Sequence, residues 1–213
     1  VKNSIYIYGC GGFGQEIAAI AERLSFSIEG FIDDYYEYTT YESYPVLTLE
    51  KAQNSYNVCI ALGDTTLRKK IHDNLIEYGF TKFPVLIDPS ATIIKNCDFD
   101  YGTTICPGAT ITTSVVLGKI TAVNINATIS HRTVIGAYSN ISPLVAVCGD
   151  CSIGERCFIG AGSCIREKVT IEEGILVGAG SVVLHDLEEK NALYVGAPAH
   201  FKKYLEKNND TFL

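Results

Sequence analysis

ISHRTV-IGAYSN-ISPLVA-VCGDCS-IGERCF-IGAGSC-IREKVT runs from Ile129 to Thr170, and every group of six opens with Ile or Val. Stepping by six in both directions extends the pattern. The residues met are Ile87, Ile93, Phe99, Ile105, Ile111, Leu117, Val123, Ile129, Ile135, Ile141, Val147, Ile153, Ile159, Ile165, Ile171 and Val177, sixteen apolar positions without a slip. Four residues after each lies a second column, mostly small, from Ala91, Cys97 and Thr103 through Ala127 and Cys151 to Ser181. A period of six is neither that of a helix, near 3.6, nor that of a flat strand, 2. It fits short parallel strands broken by tight corners, with both columns turned inward. One such coil cannot bury its own face, so coils of eighteen residues must stack, about five of them over residues 87–182. Gly102, Gly108, Gly118, Gly136, Gly154, Gly160, Gly162, Gly178 and Gly180 fall at corners, where φ is positive or backbones crowd.

The residues before the repeat obey other rules. Ser4–Tyr8 is a compact apolar strand, followed by Gly9-Cys10-Gly11-Gly12-Phe13-Gly14 and a helical stretch through Ile17, Ile20 and Leu24. A second strand, Ile28–Ile32, ends in Asp33-Asp34. A third, Asn57–Leu62, runs into Gly63-Asp64 and a helix over Leu67, Ile71 and Leu75. Phe83–Leu86 is a candidate fourth strand, and the tyrosines from Tyr35 to Tyr44 mark a loop. This alternation predicts a small parallel α/β sheet. Three segments follow: an α/β domain over 1–86, a β-helix over 87–184, and a C-terminal tail over 185–213 that packs on the β-helix, with a Lys-rich helical end.

Composition narrows the function. The 213 residues are 47% hydrophobic and 19% charged, which excludes a disordered chain. Seventeen basic residues against twenty-four acidic give a net charge of −7, which argues against a nucleic-acid partner. Nowhere do eighteen apolar residues run together, and Val1–Ser4 lead straight into a strand pattern rather than a leader, so a cytoplasmic protein is expected. The eight cysteines are read as reduced thiols. Cys148-Gly149-Asp150-Cys151 lacks a second ligand pair, and Cys151 belongs to the inward column, so no metal is expected.

Together the hexad repeat, the glycine loop, Phe31-Ile32-Asp33-Asp34, the segment Asn124–His131 and Val195-Gly196-Ala197-Pro198-Ala199 resemble the sialic-acid O-acetyltransferase and bacterial sugar acetyltransferase family. The likeness is nearest to UDP-4-amino-sugar N-acetyltransferases of the bacillosamine type. It implies a Rossmann-like N-terminal domain, a left-handed β-helix of hexapeptide repeats, and a homotrimer. It also implies an acyl-CoA site between neighbouring β-helices and a nucleotide-sugar site on the N-terminal domain.

The resemblance assigns residues. His131 aligns with the catalytic base, and an imidazole suits proton abstraction near neutral pH. Asn124 and Arg132 flank it as support. The nucleotide-sugar falls to Gly11, Gly12, Phe13, Asp33, Asp34 and Gly63. Read from the residues alone, the glycine loop also suits a dinucleotide, although the unit is small for a full dinucleotide fold. Acetyl-CoA falls to Asn140, Ala161 and Ala179.

Three positions depart from the family: Phe13 and Asn140 stand where it has His, and Arg132 where relatives carry an acid. At eighteen residues per coil, Arg132, Asp150 and Lys168 stack on one corner, which predicts a charge ladder with Arg132 turned from the imidazole. What orients His131 is then left open, with a backbone carbonyl as one candidate. The activity implied is direct transfer from acetyl-CoA to a nucleotide-linked amino-sugar. The competing readings are sugar O-acetylation and a non-catalytic nucleotide-sugar-binding trimer.

Overall fold

A computed structural model describes residues 3–205. Residues 86–183 wind into a parallel solenoid of three sheets, the left-handed β-helix of hexapeptide-repeat proteins. One turn carries strands Ala122–Val123, Thr128–Ile129 and Val134–Ile135, each on a different face. Register is set by the coil length: Ile111 pairs with Ile129, Ile129 with Val147, and Val147 with Ile165. From Ile105 to Val177 every stepped position is buried, while Ile87, Ile93 and Phe99 are partly buried against the same cluster. Each fully buried Ile, Leu or Val contributes roughly 1.5–3 kcal/mol.

The second column is small for a reason beyond volume. Its hydroxyls and thiols bond to carbonyls of the next coil. Thr121 Oγ1 donates to Gly136 O (3.1 Å), Ser139 Oγ to Gly154 O (2.9 Å) and Ser163 Oγ to Gly178 O (3.0 Å). Cys151 and Cys157 thiols do the same toward Arg166 O and Glu172 O, each at 3.1 Å. Wherever the column carries a hydroxyl or thiol of this kind, a corner carbonyl gains a partner.

The corners divide the glycines into two kinds. Positive φ recurs every six residues from Asn96 to Gly180, and Ile120, Arg132, Tyr138, Leu144 and Asp150 adopt it as readily as Gly102 does. Gly118, Gly136 and Gly154 are not among them. They are required because a Cβ there would lie 2.6 Å from a backbone nitrogen of the next coil.

The N-terminal sheet contains β1 (Ser4–Tyr8), β2 (Ser27–Ile32), β3 (Thr40–Tyr41), β4 (Tyr44–Leu47) and β5 (Asn57–Ile60), in the order β3-β4-β2-β1-β5. Helix α1 (Gly12–Arg23) connects β1 to β2, and α2 (Thr65–Glu77) follows β5.

Three expectations are corrected. The tyrosine-rich stretch is not all loop: β3 and β4 form a hairpin, because Tyr41 and Tyr44 pack edge-on against Phe31 (5.6 and 6.3 Å). Phe83–Leu86 adds no strand to this sheet; Leu86–Ile87 pairs instead with Thr104–Ile105 as the first strand of the solenoid. The tail contains no helix over its described part, since His200–Tyr204 pairs antiparallel with Ala192–Val195 and Tyr194 stacks on Phe201. The remainder of the expected helical end, 206–213, lies outside the described residues.

The two halves share cores across a seam. Ile120, Ala137 and Tyr138 of the solenoid pack with Tyr6, Val58, Leu75 and Phe80 of the sheet domain. Polar bonds cross the same seam: Thr65 Oγ1 donates to Arg156 O (2.9 Å), and His72 Nδ1 lies 3.0 Å from the Tyr138 hydroxyl.

Candidate active site

Two polar clusters stand at successive corners of the coil that begins at Ala122. The first lies under the N-terminal domain, at a cavity of about 340 Å³. Its roof is the glycine loop. Gly9 turns the chain at φ +103°, and Gly14 is needed because a Cβ there would overlap the Gly9 carbonyl. Gly11 caps α1 without a side chain, and no acid stands in the first turn, so the helix offers its N-terminal N–H groups to an outside anion. Gly12 and Phe13 line the cavity with Gly63 and Asp64. Asp64 is already occupied as the cap of α2, accepting from Thr66 N and Leu67 N (2.9 and 2.8 Å).

The cavity floor comes from the solenoid: Asn124, Asn140 and Ser142, beside apolar Pro143 and Phe158. Asn124 Nδ2 donates to Asn140 Oδ1 (3.3 Å) and Ile141 O (3.1 Å). Asn140 is buried, and Arg68 reaches down from α2 to its Oδ1 (3.0 Å).

The structure therefore brings Gly12, Phe13, Gly63, Asn124 and Asn140 together around one space. Gly11 stands at its edge as the helix cap. Asp33 and Asp34 do not line it. Asp33 accepts from Cys10 N (2.9 Å) and Tyr35 N (3.0 Å), and Asp34 from Leu49 N (2.9 Å) and the Tyr8 hydroxyl (3.2 Å), so both carboxylates brace the loops behind the cavity. Ala161 and Ala179 are exposed on the corner above Pro143, one and two coils further along. Asn140 is separated from them in character: it is buried at the cavity floor, not on that open corner.

The second cluster surrounds His131. Its side chain is 47% exposed and its ring lies over Gly149, where a Cβ would overlap ring atoms. Asp150 from the next coil places Oδ2 3.7 Å from His131 Nδ1, an electrostatic contact rather than a hydrogen bond. Arg132 grips the same carboxylate through both oxygens, Nε to Oδ1 at 2.6 Å and Nη2 to Oδ2 at 2.8 Å. The Arg132 bonds hold the Asp150 carboxyl below its ordinary value, so it stays anionic. Lys168 acts on Asp150 only through its charge, without an ion pair. The expected ladder thus has one rung, and its centre faces the imidazole.

Asp150 is the functional candidate that sequence reasoning missed. The signal was present: the eighteen-residue coil that stacks Asp150 on Arg132 also places it beside His131. A negative charge at Nδ1 favours the tautomer with its proton there, leaving Nε2 as the base.

Burial raises the Cys148 and Cys151 thiols and pushes Cys157 to about 12. Among the described residues no group of three or more His, Cys, Asp or Glu side chains could hold a metal ion, and no helix is long and apolar enough to cross a membrane.

Fold and site define a hexapeptide-repeat transferase that carries an α/β domain at its N-terminus. Residues 4–75 match the PglD N-terminal domain model, and residues 150–185 match the bacterial transferase hexapeptide model of six repeats. The acetyltransferase domain of PglB from Neisseria gonorrhoeae FA1090 is 29% identical, with a TM-score of 0.88 over 94% of this chain and 100% of that one. PerB from Caulobacter crescentus, solved with CoA and GDP-perosamine, is 27% identical, with a TM-score of 0.87 over 94% and 97%. WeeI from Acinetobacter baumannii AYE is 27% identical, with a TM-score of 0.86 over 93% and 99%. The chain thus carries a PglD-type N-terminal domain followed by bacterial transferase hexapeptide repeats, and over nearly its whole length it is similar to bacterial sugar N-acetyltransferases of the bacillosamine type.

Proposed function

We propose that this chain transfers an acetyl group from acetyl-CoA to the amine of a nucleotide-linked amino-sugar, with His131 as general base. The observation that carries the reading is the half-exposed His131 ring, seated over Gly149 with Nδ1 turned to the Asp150 carboxylate. The resemblance expects an acid at position 132; here the acid comes from one coil further on, and Arg132 keeps it ionised. His131 Nε2 takes a proton from the sugar nitrogen as that nitrogen attacks the thioester carbonyl. The new C–N bond replaces the C–S bond, and CoA leaves as the thiol. No metal enters the reaction.

Residues 1–86 act as the nucleotide-sugar domain: the uncapped α1 N-terminus receives phosphate while Gly12, Phe13 and Gly63 shape the cavity. Asp33 and Asp34 contribute by holding the loops. Residues 87–184 supply the acyl-transfer groove, with Ala161 and Ala179 as the small-residue wall along which CoA lies, while Asn140 serves the nucleotide-sugar cavity as part of its floor. Residues 185–205 close the solenoid. Asn124 and His131 occupy successive corners of one coil, so a homotrimer completes the site by bringing the His131 corner of one copy to the cavity of another. Its compartment is the cytoplasm, which supplies both substrates.

A panel of UDP-, dTDP- and GDP-linked amino-sugars with acetyl-CoA, read as thiol release, tests the reading. Release with at least one amine, and none with the matching hydroxyl sugar, is the expected result. Release with hydroxyl sugars alone would make this an O-acetyltransferase. Saturable nucleotide-sugar binding without release would make it a binding protein.

A further inference from the structure

Arg68 is 1% exposed, and among the described residues no carboxylate forms an ion pair with it. All five of its N–H groups are spent on oxygen atoms. Nε and Nη2 donate to Leu62 O (2.9 and 2.6 Å), Nη1 to Ser139 O (2.9 Å) and Ile120 O (3.3 Å), and Nη2 also to Asn140 Oδ1 (3.0 Å). A buried cation without a counter-charge is expensive, and a chain needing only a latch between domains could use an apolar side chain. The arrangement sits directly beneath the cavity, which gives the cation a second use.

That use follows from hydrogen-bond counting. An amide has nearly the same shape when its oxygen and nitrogen are exchanged, so only its partners decide which way it faces. Arg68 has donors and no acceptor, so it forces Asn140 to turn its oxygen toward it. Asn140 Oδ1 then attracts Asn124 Nδ2 (3.3 Å), whose other hydrogen goes to Ile141 O (3.1 Å). Both Asn124 hydrogens are consumed. Its Oδ1 is left as the acceptor offered to the cavity, while Asn140 Nδ2 is tied to Ser142 Oγ (3.1 Å).

We propose that Arg68 is a positioning residue: acting through Asn140, it fixes the Asn124 amide with its oxygen toward the cavity, so that the floor selects a substrate group presenting an N–H or O–H donor. On the function proposed above, which this step rests on for the identity of the group, the donor is the sugar amine. Held by one hydrogen to Asn124 Oδ1, the amine has its attacking lone pair set in one direction. Arg68 touches neither substrate.

The experiment has two arms, using Arg68→Met, Asn140→Leu and the double variant in the full-length protein. The first needs no substrate. In protein labelled at asparagine side chains, the Asn124 amide hydrogens, assigned by their loss in Asn124→Asp, exchange slowly in the wild type and fast in both single variants. Unchanged exchange in either would overturn the proposal. In the second arm each single variant raises KM for the accepted amino-sugar nucleotide about tenfold, the loss of one well-placed hydrogen bond. The double variant raises it no further, and KM for acetyl-CoA moves less than about twofold. Multiplicative losses in the double variant, or an equal rise in both KM values, would show that Arg68 does not act through Asn140. Should Arg68→Met fail to fold, Asn140→Leu carries the exchange arm with the same two outcomes. Absence of thiol release from the wild type would defeat the proposed function, while the exchange arm would still decide the role of Arg68.

Discussion

In the solenoid each residue is supported by the one eighteen positions away, as Ile129 is by Val147. At the seam, Arg68 is supported by carbonyls and an amide that lie 6, 52, 71 and 72 positions away. The first arrangement repeats one local rule, so any single coil is replaceable by its neighbour. The second occurs once and depends on two domains meeting in one way. The proposed function divides along the same line: it puts the base on the repeat, where Asp150 reaches His131 by coil stacking alone, and substrate selection at the seam.

The sharpest way to break this division is a change confined to one coil. Gly149→Ala puts a methyl group where the His131 ring lies. The ring is half exposed and free to swing outward, so the fold survives while the base is displaced. The expected result is a fall in kcat of roughly 10²–10³-fold, part of the usual contribution of a positioned base. Thermal unfolding should move by less than about 2 °C. A variant with wild-type kcat would mean that the ring's seat on Gly149 is irrelevant to turnover.

Asp150→Asn is the next step down. It removes the charge facing Nδ1 but keeps the side-chain volume. Because the contact is 3.7 Å and open to solvent, kcat should fall only about tenfold, with KM for both substrates little changed. The Arg132–Asp150 pair is fully formed above the ordinary carboxylate value of 3.8 and is lost as pH falls through the lower value it has in the folded protein. Steady-state rates near neutral pH therefore read the charge on Asp150 and not its titration. A loss as large as that of Gly149→Ala would require a direct hydrogen bond during turnover.

The smallest effect belongs to the seam. Burial foremost, then the charge of Lys119, lowers the His72 imidazole below its ordinary 6.5. The unfolded chain then binds a proton that the folded one refuses. Stability is complete above about pH 6.5 and is lost as pH falls through the unfolded value toward the folded one. The unfolding midpoint should decline between about pH 7 and pH 5, and His72→Asn, which can still bond Tyr138, should flatten that decline. An identical decline in the variant would place the acid sensitivity elsewhere in the molecule.

How much was readable in advance follows the same contrast. The sixteen stepped residues predict the solenoid because their partner is always one coil away, a relation visible in one dimension. That relation also stacks Asp150 on Arg132, but the side of the corner on which its carboxylate meets His131 depends on side-chain direction, which a repeat does not encode. The glycine loop was legible from its place between a strand and a helix. Arg68 was not legible, because an arginine on the first turns of a helix reads as solvated until the solenoid closes over it. Asn140 was misleading for a similar cause. The resemblance groups it with Ala161 and Ala179, and only the docked N-terminal domain, through Arg68, reveals that it is buried at the cavity floor. Leu86 belongs to the solenoid because it shares a strand with Ile87, the first of the stepped positions.

The central claim is that the corner reacts while the seam binds, and two variants measured side by side test it. Gly11 has open space where a Cβ would stand, so Gly11→Val leaves the fold intact and puts its side chain beside the α1 N-terminus. Titration calorimetry and thiol release should be measured on His131→Ala and Gly11→Val with the amino-sugar nucleotide that the wild type accepts. The account predicts opposite defects. His131→Ala keeps its affinity for the nucleotide-sugar and loses roughly 10²–10⁴-fold in kcat. Gly11→Val loses nucleotide-sugar affinity and keeps that for acetyl-CoA. Wild-type turnover by His131→Ala, or equal loss of both ligands in Gly11→Val with its unfolding transition unchanged, would contradict it.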